Sequence, residues 1–148
     1  MAFDVPVTVR FQHCDPAGIV FYPRYFEMVN SCVEAWFEQK IGTSFGNMHL
    51  QRNIGVPTVQ TDSRFVRPSR LEDKLILRLQ LTKLTSKSIT VMIKILGEDP
   101  DQGLGKDDLR AEFTVTLVLV DLVAMRSMLW EQHADINTAL QQELEKLD

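Results

Sequence analysis

Only two cysteines, Cys14 and Cys32, occur in 148 residues, too few for a disulfide framework. They read as reduced, partly buried thiols of a cytoplasmic protein. Neither has a second cysteine or histidine at ligand spacing. His13 adjoins Cys14 directly, and His49 and His133 stand alone, so no metal site is expected. Excess positive charge is missing too. Sixteen basic residues against 20 acidic ones give a net charge of −4, whereas a nucleic-acid binder needs a basic face. The balance leaves room for a small anionic ligand held by a few Lys or Arg. The longest apolar stretch, Phe113 to Met125, contains two threonines and Asp121 and is too short to span a bilayer. The first residues, Met-Ala-Phe-Asp-Val-Pro, have no basic segment followed by an apolar one, so no secretory signal is expected. Fixed-period repeats and Ser/Gly/Pro linkers are absent as well.

What remains is the composition of an ordinary globular chain, 45% apolar and 24% charged. That is enough for one well-formed core and too little for two, so residues 1–148 are expected to form a single domain. Residues 5–11 alternate, with Val5, Val7, Val9 and Phe11 on one face and Pro6, Thr8 and Arg10 on the other. This is the pattern of a half-buried strand near an edge. A turn follows at Asp15-Pro16-Ala17-Gly18. Pro23 then suits a first helical turn. Tyr25, Phe26, Val29, Cys32, Val33, Trp36 and Phe37 recur at helical spacing, and Gly42 is a stop signal. The expected helix, 23–40, is apolar over most of its girth. Residues 57–67 read as an unusually polar strand. Leu75 to Leu81 and Ile89 to Ile95 alternate cleanly around Thr85-Ser86-Lys87 and predict a hairpin. A Gly- and Asp-rich loop is expected over 97–108 and a last strand over 110–121. Ile136, Leu140, Leu144 and Leu147 mark a short amphipathic helix in the tail. The antiparallel strands need their apolar face covered, and the helix at 23–40 is the obvious cover. The fold class is therefore α+β, one sheet wrapping one helix.

Several familiar catalytic patterns are missing. There is no G-x-S-x-G elbow, no H-E-x-x-H, no G-x-G-x-x-G and no P-loop. Asp15 is the first candidate for chemistry, between a strand and the start of the buried helix. One reading is a turn or capping aspartate. The other is a carboxylate facing a helix start, where amides near Tyr22 are unpaired donors with partial positive charge. Such amides can hold a developing oxyanion while the carboxylate attacks or activates water. His13 is the alternative base, or a structural strand-end histidine. The cations Arg64, Arg67, Arg70, Lys83 and Lys87 read singly as solvated strand edges and together as a phosphate-binding group. Tyr22, Tyr25, Phe26 and Trp36 belong with the helix core rather than a ligand cage.

The run from Cys14 to Tyr25 contains the signature D-P-A-G-I-V-aromatic-Y-P-x-Y, starting at Asp15. It resembles the hotdog-fold acyl-CoA thioesterases of the 4-hydroxybenzoyl-CoA thioesterase family. Residues Ser63 to Asp73 resemble a second block of that family. The resemblance implies a hotdog fold, a five-stranded antiparallel sheet around one long helix, with the short C-terminal helix appended. It implies hydrolysis of an acyl-CoA thioester, with coenzyme A as part of the substrate and no further cofactor, since a thiolate leaves readily. In this family the aspartate matching Asp15 is the catalytic carboxylate, and the backbone amide matching Tyr22 polarises the thioester carbonyl. Thr58, Gln60 and Thr61 fall on the strand that lines the acyl pocket. The position of Lys87 contacts CoA phosphates, with Arg67 among the basic residues nearby. Around Thr85 and Ser86 the chain is less basic than the family's namesake. Such domains assemble as homodimers or homotetramers with sites between chains. The rival readings are a hotdog hydratase or dehydratase, whose paired His and Asp on the helix segment are not evident, and a non-catalytic acyl-CoA binder. Neither nucleic acid nor membrane insertion is expected.

Overall fold

The computed structural model describes residues 2–97 and 108–147. In chain order the elements are β1 (Phe3–Thr8), α1 (Tyr22–Trp36), β2 (Ile54–Gly55), β3 (Thr58–Phe65), β4 (Lys74–Leu84), β5 (Ser88–Gly97), β6 (Leu109–Val118), β7 (Val120–Asp121), β8 (Arg126–Ser127) and α2 (Ala134–Leu144). Five strands form one antiparallel sheet in the order β1-β4-β5-β6-β3, and β2-β7-β8 form a small second sheet. This is the hotdog architecture that the resemblance implies. The loop expected over 97–108 lies, apart from its two ends, outside the described residues.

Strand alternation sets the inner face of the large sheet. Leu75, Leu77, Leu79 and Leu81 of β4, Ile89, Val91, Ile93 and Ile95 of β5, and Phe113, Val115 and Leu117 of β6 are all buried. Against them lies α1, burying Tyr25, Met28, Val29, Cys32, Val33 and Trp36 at helical spacing. Burial pushes the Cys32 thiol up to about 12, which leaves it unreactive. A π-helical turn, Phe37–Ile41, prolongs α1, and Gly42 ends it in the left-handed region with φ 89. The Trp36 indole N–H donates to Glu143 of α2 at 3.0 Å, which fixes α2 beside that end of α1.

Three boundaries differ from the sequence expectation. The first strand ends at Thr8 rather than 11: the Val9 N–H donates to the Asp73 carbonyl at 2.9 Å. The chain then turns through Phe11–His13, leaving Phe11 85% exposed. The strand expected over 110–121 breaks after Val118, because the Leu119 N–H turns to the Lys87 carbonyl at 3.0 Å. Val120 and Asp121 then pair with Gly55 and Ile54, so one apolar run serves two sheets. The C-terminal helix stops at Leu144, and Leu147, expected on its apolar face, is exposed.

The two edges of the large sheet are β1 and β3. Pro6 sits in β1, an edge strand, where a missing donor is tolerated. β3 is the other edge, and all eight of its residues are exposed. Phe65 pairs with Ala111 and Thr58 with Leu117, so β3 runs from the end of the sheet holding β2 and β7 towards the end where α1 begins.

Candidate functional site

A tight hairpin precedes α1. Asp15 N–H donates to the Ile19 carbonyl at 3.0 Å and Phe21 N–H to the His13 carbonyl at 2.9 Å, with Cys14 bridged to Val20. Its turn is Asp15-Pro16-Ala17-Gly18, closed by Gly18 N–H on the Asp15 carbonyl at 2.9 Å. Gly18 takes φ 78, a conformation other residues avoid. The Ala17 N–H donates to Asp15 Oδ1 at 2.8 Å. The turn reading of Asp15 is therefore realised, through one carboxylate oxygen; Oδ2 takes no hydrogen bond from any described residue. The hairpin is clamped on its other side by the segment after β3. Val20 N–H donates to the Ser69 carbonyl at 2.8 Å, and Leu71 N–H to the Gly18 carbonyl at 3.3 Å.

Helix α1 starts straight out of this hairpin. Phe21 is its N-cap and offers no side-chain cap. Pro23 has no N–H, and the Arg24 N–H is satisfied by the Phe21 carbonyl at 2.8 Å. The Tyr22 amide takes no protein acceptor among the described residues. A first-turn N–H of this kind is a donor at the positive end of the helix dipole. Beside it opens a cleft of about 280 Å³, lined by Ile19, Val20, Tyr22, Tyr25, Phe65 and Arg67 among others. The Phe65 ring anchors its wall, edge-on to Tyr22 at 6.0 Å and stacked on Tyr25 at 5.9 Å.

Behind the cleft lies a polar cluster that the sequence reading missed. The Tyr25 hydroxyl meets the buried Ser69 hydroxyl at 2.8 Å. Arg110 donates to Ser69 Oγ at 3.2 Å, to Asp73 at 2.8 Å and to both oxygens of Asp108, each at 2.8 Å. Arg67 adds a second ion pair to Asp108 at 2.8 Å. The Arg110 hydrogen bonds hold the Asp108 carboxyl below its ordinary value, and burial pushes the Tyr25 hydroxyl up. One signal for the cluster was available. Asp108 and Arg110 stand two apart at the start of a strand, which places opposite charges side by side on one face.

The other anticipated residues are scattered. His13 accepts from the Arg10 N–H at 2.8 Å through Nδ1, and burial holds its imidazole below the usual value. That bond makes it a turn residue. Gln60 pairs with Thr116 and Thr61 with Val115, so the two side chains lie on opposite faces of the sheet. Of the pair, only Thr61 shares the inner face with Phe65. Thr58 stands at the far end of β3. The cations divide likewise. Arg67 lines the cleft, Arg64 pairs with Glu112 at 3.4 Å, and Lys87 sits in the β4–β5 turn. The ten steps of β4 separate that turn from the Asp15 end by about 33 Å. Among the described residues no three His, Cys, Asp or Glu side chains converge as a metal ion needs. None of the described helices is long and apolar enough to cross a membrane.

Comparison with solved structures finds the same fold repeatedly. A hypothetical protein from Staphylococcus aureus in complex with CoA superposes with a TM-score of 0.86 at 14% identity, covering 100% of this chain and 87% of its own. A 4-hydroxybenzoyl CoA thioesterase mutant complexed with 4-hydroxybenzoyl CoA gives 0.81 at 22% identity, covering 94% and 98%. A 1,4-dihydroxy-2-naphthoyl-CoA thioesterase from Synechocystis gives 0.79 at 19%, covering 100% and 98%. Comparison with curated proteins gives no match. The signature hairpin, the helix it starts and four of the five strands that wrap it fall inside residues 9–144, which match the model of the thioesterase-like superfamily, and the chain belongs to that family.

Proposed function

We propose that this protein hydrolyses acyl-CoA thioesters to the free acid and CoA, with Asp15 as the catalytic carboxylate and the Tyr22 amide as the oxyanion donor. One observation carries the reading. A hairpin with three cross-bonds carries a carboxylate in its turn and leads straight into a helix whose first amide is free, and Tyr22 at that start and Ile19 and Val20 of the hairpin line an apolar cleft. The thioester carbonyl oxygen accepts from the Tyr22 N–H, where negative charge develops as the carbon becomes tetrahedral. Asp15 Oδ2 either takes a proton from the attacking water or attacks the carbonyl carbon itself. In both routes the carbon–sulfur bond breaks and CoA leaves as thiolate. The aromatic wall of Tyr22, Tyr25 and Phe65 favours a planar acyl group, in keeping with the aromatic acyl-CoA named for two of the structural neighbours.

Self-association belongs to the same proposal. A fully exposed edge strand bearing Val59, Phe65 and a row of unpaired backbone groups is stabilised by pairing with a second copy. It also gives Lys87 a route to CoA. Lys87 is too far along the sheet to serve the Asp15 of its own chain, so a phosphate contact from it requires a site shared between protomers. Arg67, already at the cleft mouth, needs no such help. A cytoplasmic location fits a CoA-dependent reaction.

The test is Asp15→Asn. The amide still accepts from the Ala17 N–H, so the fold is expected to survive. Loss of the base or nucleophile is expected to lower kcat by about a hundredfold or more, with KM for the thioester little changed. A folded variant with near wild-type kcat would reduce Asp15 to a turn residue and end this mechanism. If wild-type protein released no free thiol from a panel of aryl- and alkyl-CoA thioesters, the enzymatic reading itself would fail. Single turnover in ¹⁸O-water separates the two routes: label appearing on the protein requires a mixed anhydride at Asp15.

A further inference from the structure

The two groups given roles above sit on different pieces of backbone. Asp15 belongs to the hairpin and the Tyr22 amide to the first turn of α1. Phe21 is the joint between them. Its N–H donates to the His13 carbonyl at 2.9 Å, inside the hairpin, and its carbonyl accepts from Arg24 N–H at 2.8 Å, inside the helix. Rotation about the two backbone dihedrals of this residue therefore tilts the hairpin against the helix. Phe21 is extended, at φ −71 and ψ 122, and no side-chain cap fixes it there.

Ser69 spans the joint. Its carbonyl accepts from Val20 N–H at 2.8 Å, one residue before Phe21. Its hydroxyl oxygen accepts from the Tyr25 hydroxyl at 2.8 Å, about one helical turn beyond it. Any residue at 69 supplies the carbonyl; the hydroxyl is what adds the helix. Ser69 is 0% exposed, and the large sheet braces it from behind. Arg110 of β6 donates through Nη1 to Ser69 Oγ at 3.2 Å and to the Pro68 carbonyl at 3.3 Å. Asp73 and Asp108 hold that guanidinium in turn. The bracket is thus anchored outside both of the pieces it joins.

We propose that Ser69 is a positioning residue for the hydrolysis: its two bonds set the angle at Phe21, and with it the placement of the Asp15 carboxylate against the Tyr22 amide. The proposal rests on the roles given to those two groups. Ser69 is too deeply buried to meet the substrate, so its effect falls on orientation. A misplacement of about 1 Å can cost about a hundredfold in rate, and a loss of orientation alone lowers kcat rather than raising KM.

The experiment measures kcat, KM and melting temperature for Ser69→Ala, Tyr25→Phe and the double variant, with thiol release read below every melting transition. Tyr25→Phe keeps the ring stacked on Phe65 and leaves Ser69 its Arg110 bond, so it carries the test should Ser69→Ala fail to fold. Each single change is expected to lower kcat by about tenfold with KM within about twofold. The double variant is expected to lose about tenfold rather than a hundredfold, because both changes cut the same bond. Stability should not follow activity. Ser69→Ala strands the Tyr25 hydroxyl and one Arg110 N–H, and is expected to melt lower than Tyr25→Phe at a similar kcat. Ile136→Val, in the buried face of α2, is the control: it should lower the melting temperature and leave kcat unchanged. Wild-type kcat in the folded single variants overturns the proposal, as do additive losses in the double variant or a kcat that tracks melting temperature through Ile136→Val. Near wild-type kcat in Asp15→Asn ends the carboxylate assignment and this proposal with it. A hundredfold loss in Asp15→Asn beside unaffected Ser69→Ala and Tyr25→Phe overturns the positioning role alone.

Discussion

Replacing Arg110 by Met tests whether the cluster behind the cleft is what holds its two walls together. The Arg110 side chain is 11% exposed, as is that of Asp108. Methionine keeps much of the arginine stem's packing but supplies none of its hydrogen bonds. Among the described residues Asp108 keeps Arg67 alone, whose side chain is 58% exposed. Asp73 keeps the Arg70 N–H at 2.9 Å. Breaking one partner of a buried ion pair costs about 3–5 kcal/mol. Both carboxylates retain a second partner and Asp73 is 31% exposed, so the lower end, about 3 kcal/mol, is the fitting value. At about 2–4 °C per kcal/mol for a domain of this size, the melting temperature should fall by about 6–12 °C at neutral pH. The pH dependence carries the sharper signature. Arg110 holds the Asp108 carboxyl below its ordinary value, so this pair stabilises the fold above that value. The contribution disappears as pH falls through the ordinary carboxylate range, near 3.9, and below it. The gap between wild type and Arg110→Met should therefore be widest near pH 7 and narrow below about pH 4. Adding Asp108→Asn to Arg110→Met should recover part of the loss, because no uncompensated charge then remains. A calorimetric gap under 2 °C at pH 7, or one that stays constant into acid, would refute the assignment.

Two further outcomes follow from the exposed edge and the far turn. Light scattering should find at least a dimer at micromolar concentration, and Val59→Lys in β3 should shift it towards monomer, since an edge lysine opposes strand pairing; a stable wild-type monomer would remove the shared site. Lys87→Ala should raise KM for a CoA thioester roughly tenfold with a smaller effect on kcat, and less so in added salt. An unchanged KM would return Lys87 to the solvated surface.

What could be read from the chain and what could not divide along the range of the interactions. The long helix was legible because Tyr25, Val29, Cys32, Val33 and Trp36 carry its period within one segment. The β4–β5 hairpin was legible for the same reason. The small sheet was not: two-residue strands have no period, and Gly55 and its partner Val120 are separated in the chain by β3 to β6. No local pattern gives Ser69 a partner, yet its carbonyl holds Val20 and its hydroxyl meets both Tyr25 and Arg110. Gln60 and Thr61 seemed one patch of a polar strand until pairing register put them on opposite faces. In each case the deciding partner lies far along the sequence, and no local pattern encodes it.

Asp15 is the instructive exception, because both of its readings were local and they turn out to be compatible. A carboxylate has two oxygens. Oδ1 accepts from Ala17 N–H at 2.8 Å, which fixes the side chain's rotamer within the turn. Oδ2 is then left in a set direction rather than swinging freely, and a base or nucleophile gains most from being held in place before the substrate arrives. Under the proposed mechanism the turn bond supports the chemistry. An aspartate that capped the turn with both oxygens would be structural only, and one that capped nothing would be mobile. Asparagine separates these functions, since its carbonyl oxygen can still accept from Ala17 while its amide nitrogen can neither attack nor take a proton. A glutamate at 15 makes the converse change. It keeps the charge but moves it out by one methylene and gives up the short turn bond. If orientation matters as much as charge, Asp15→Glu should lose kcat by at least tenfold while still titrating as a carboxylate. Full activity in Asp15→Glu would show that the Ala17 bond serves the turn alone.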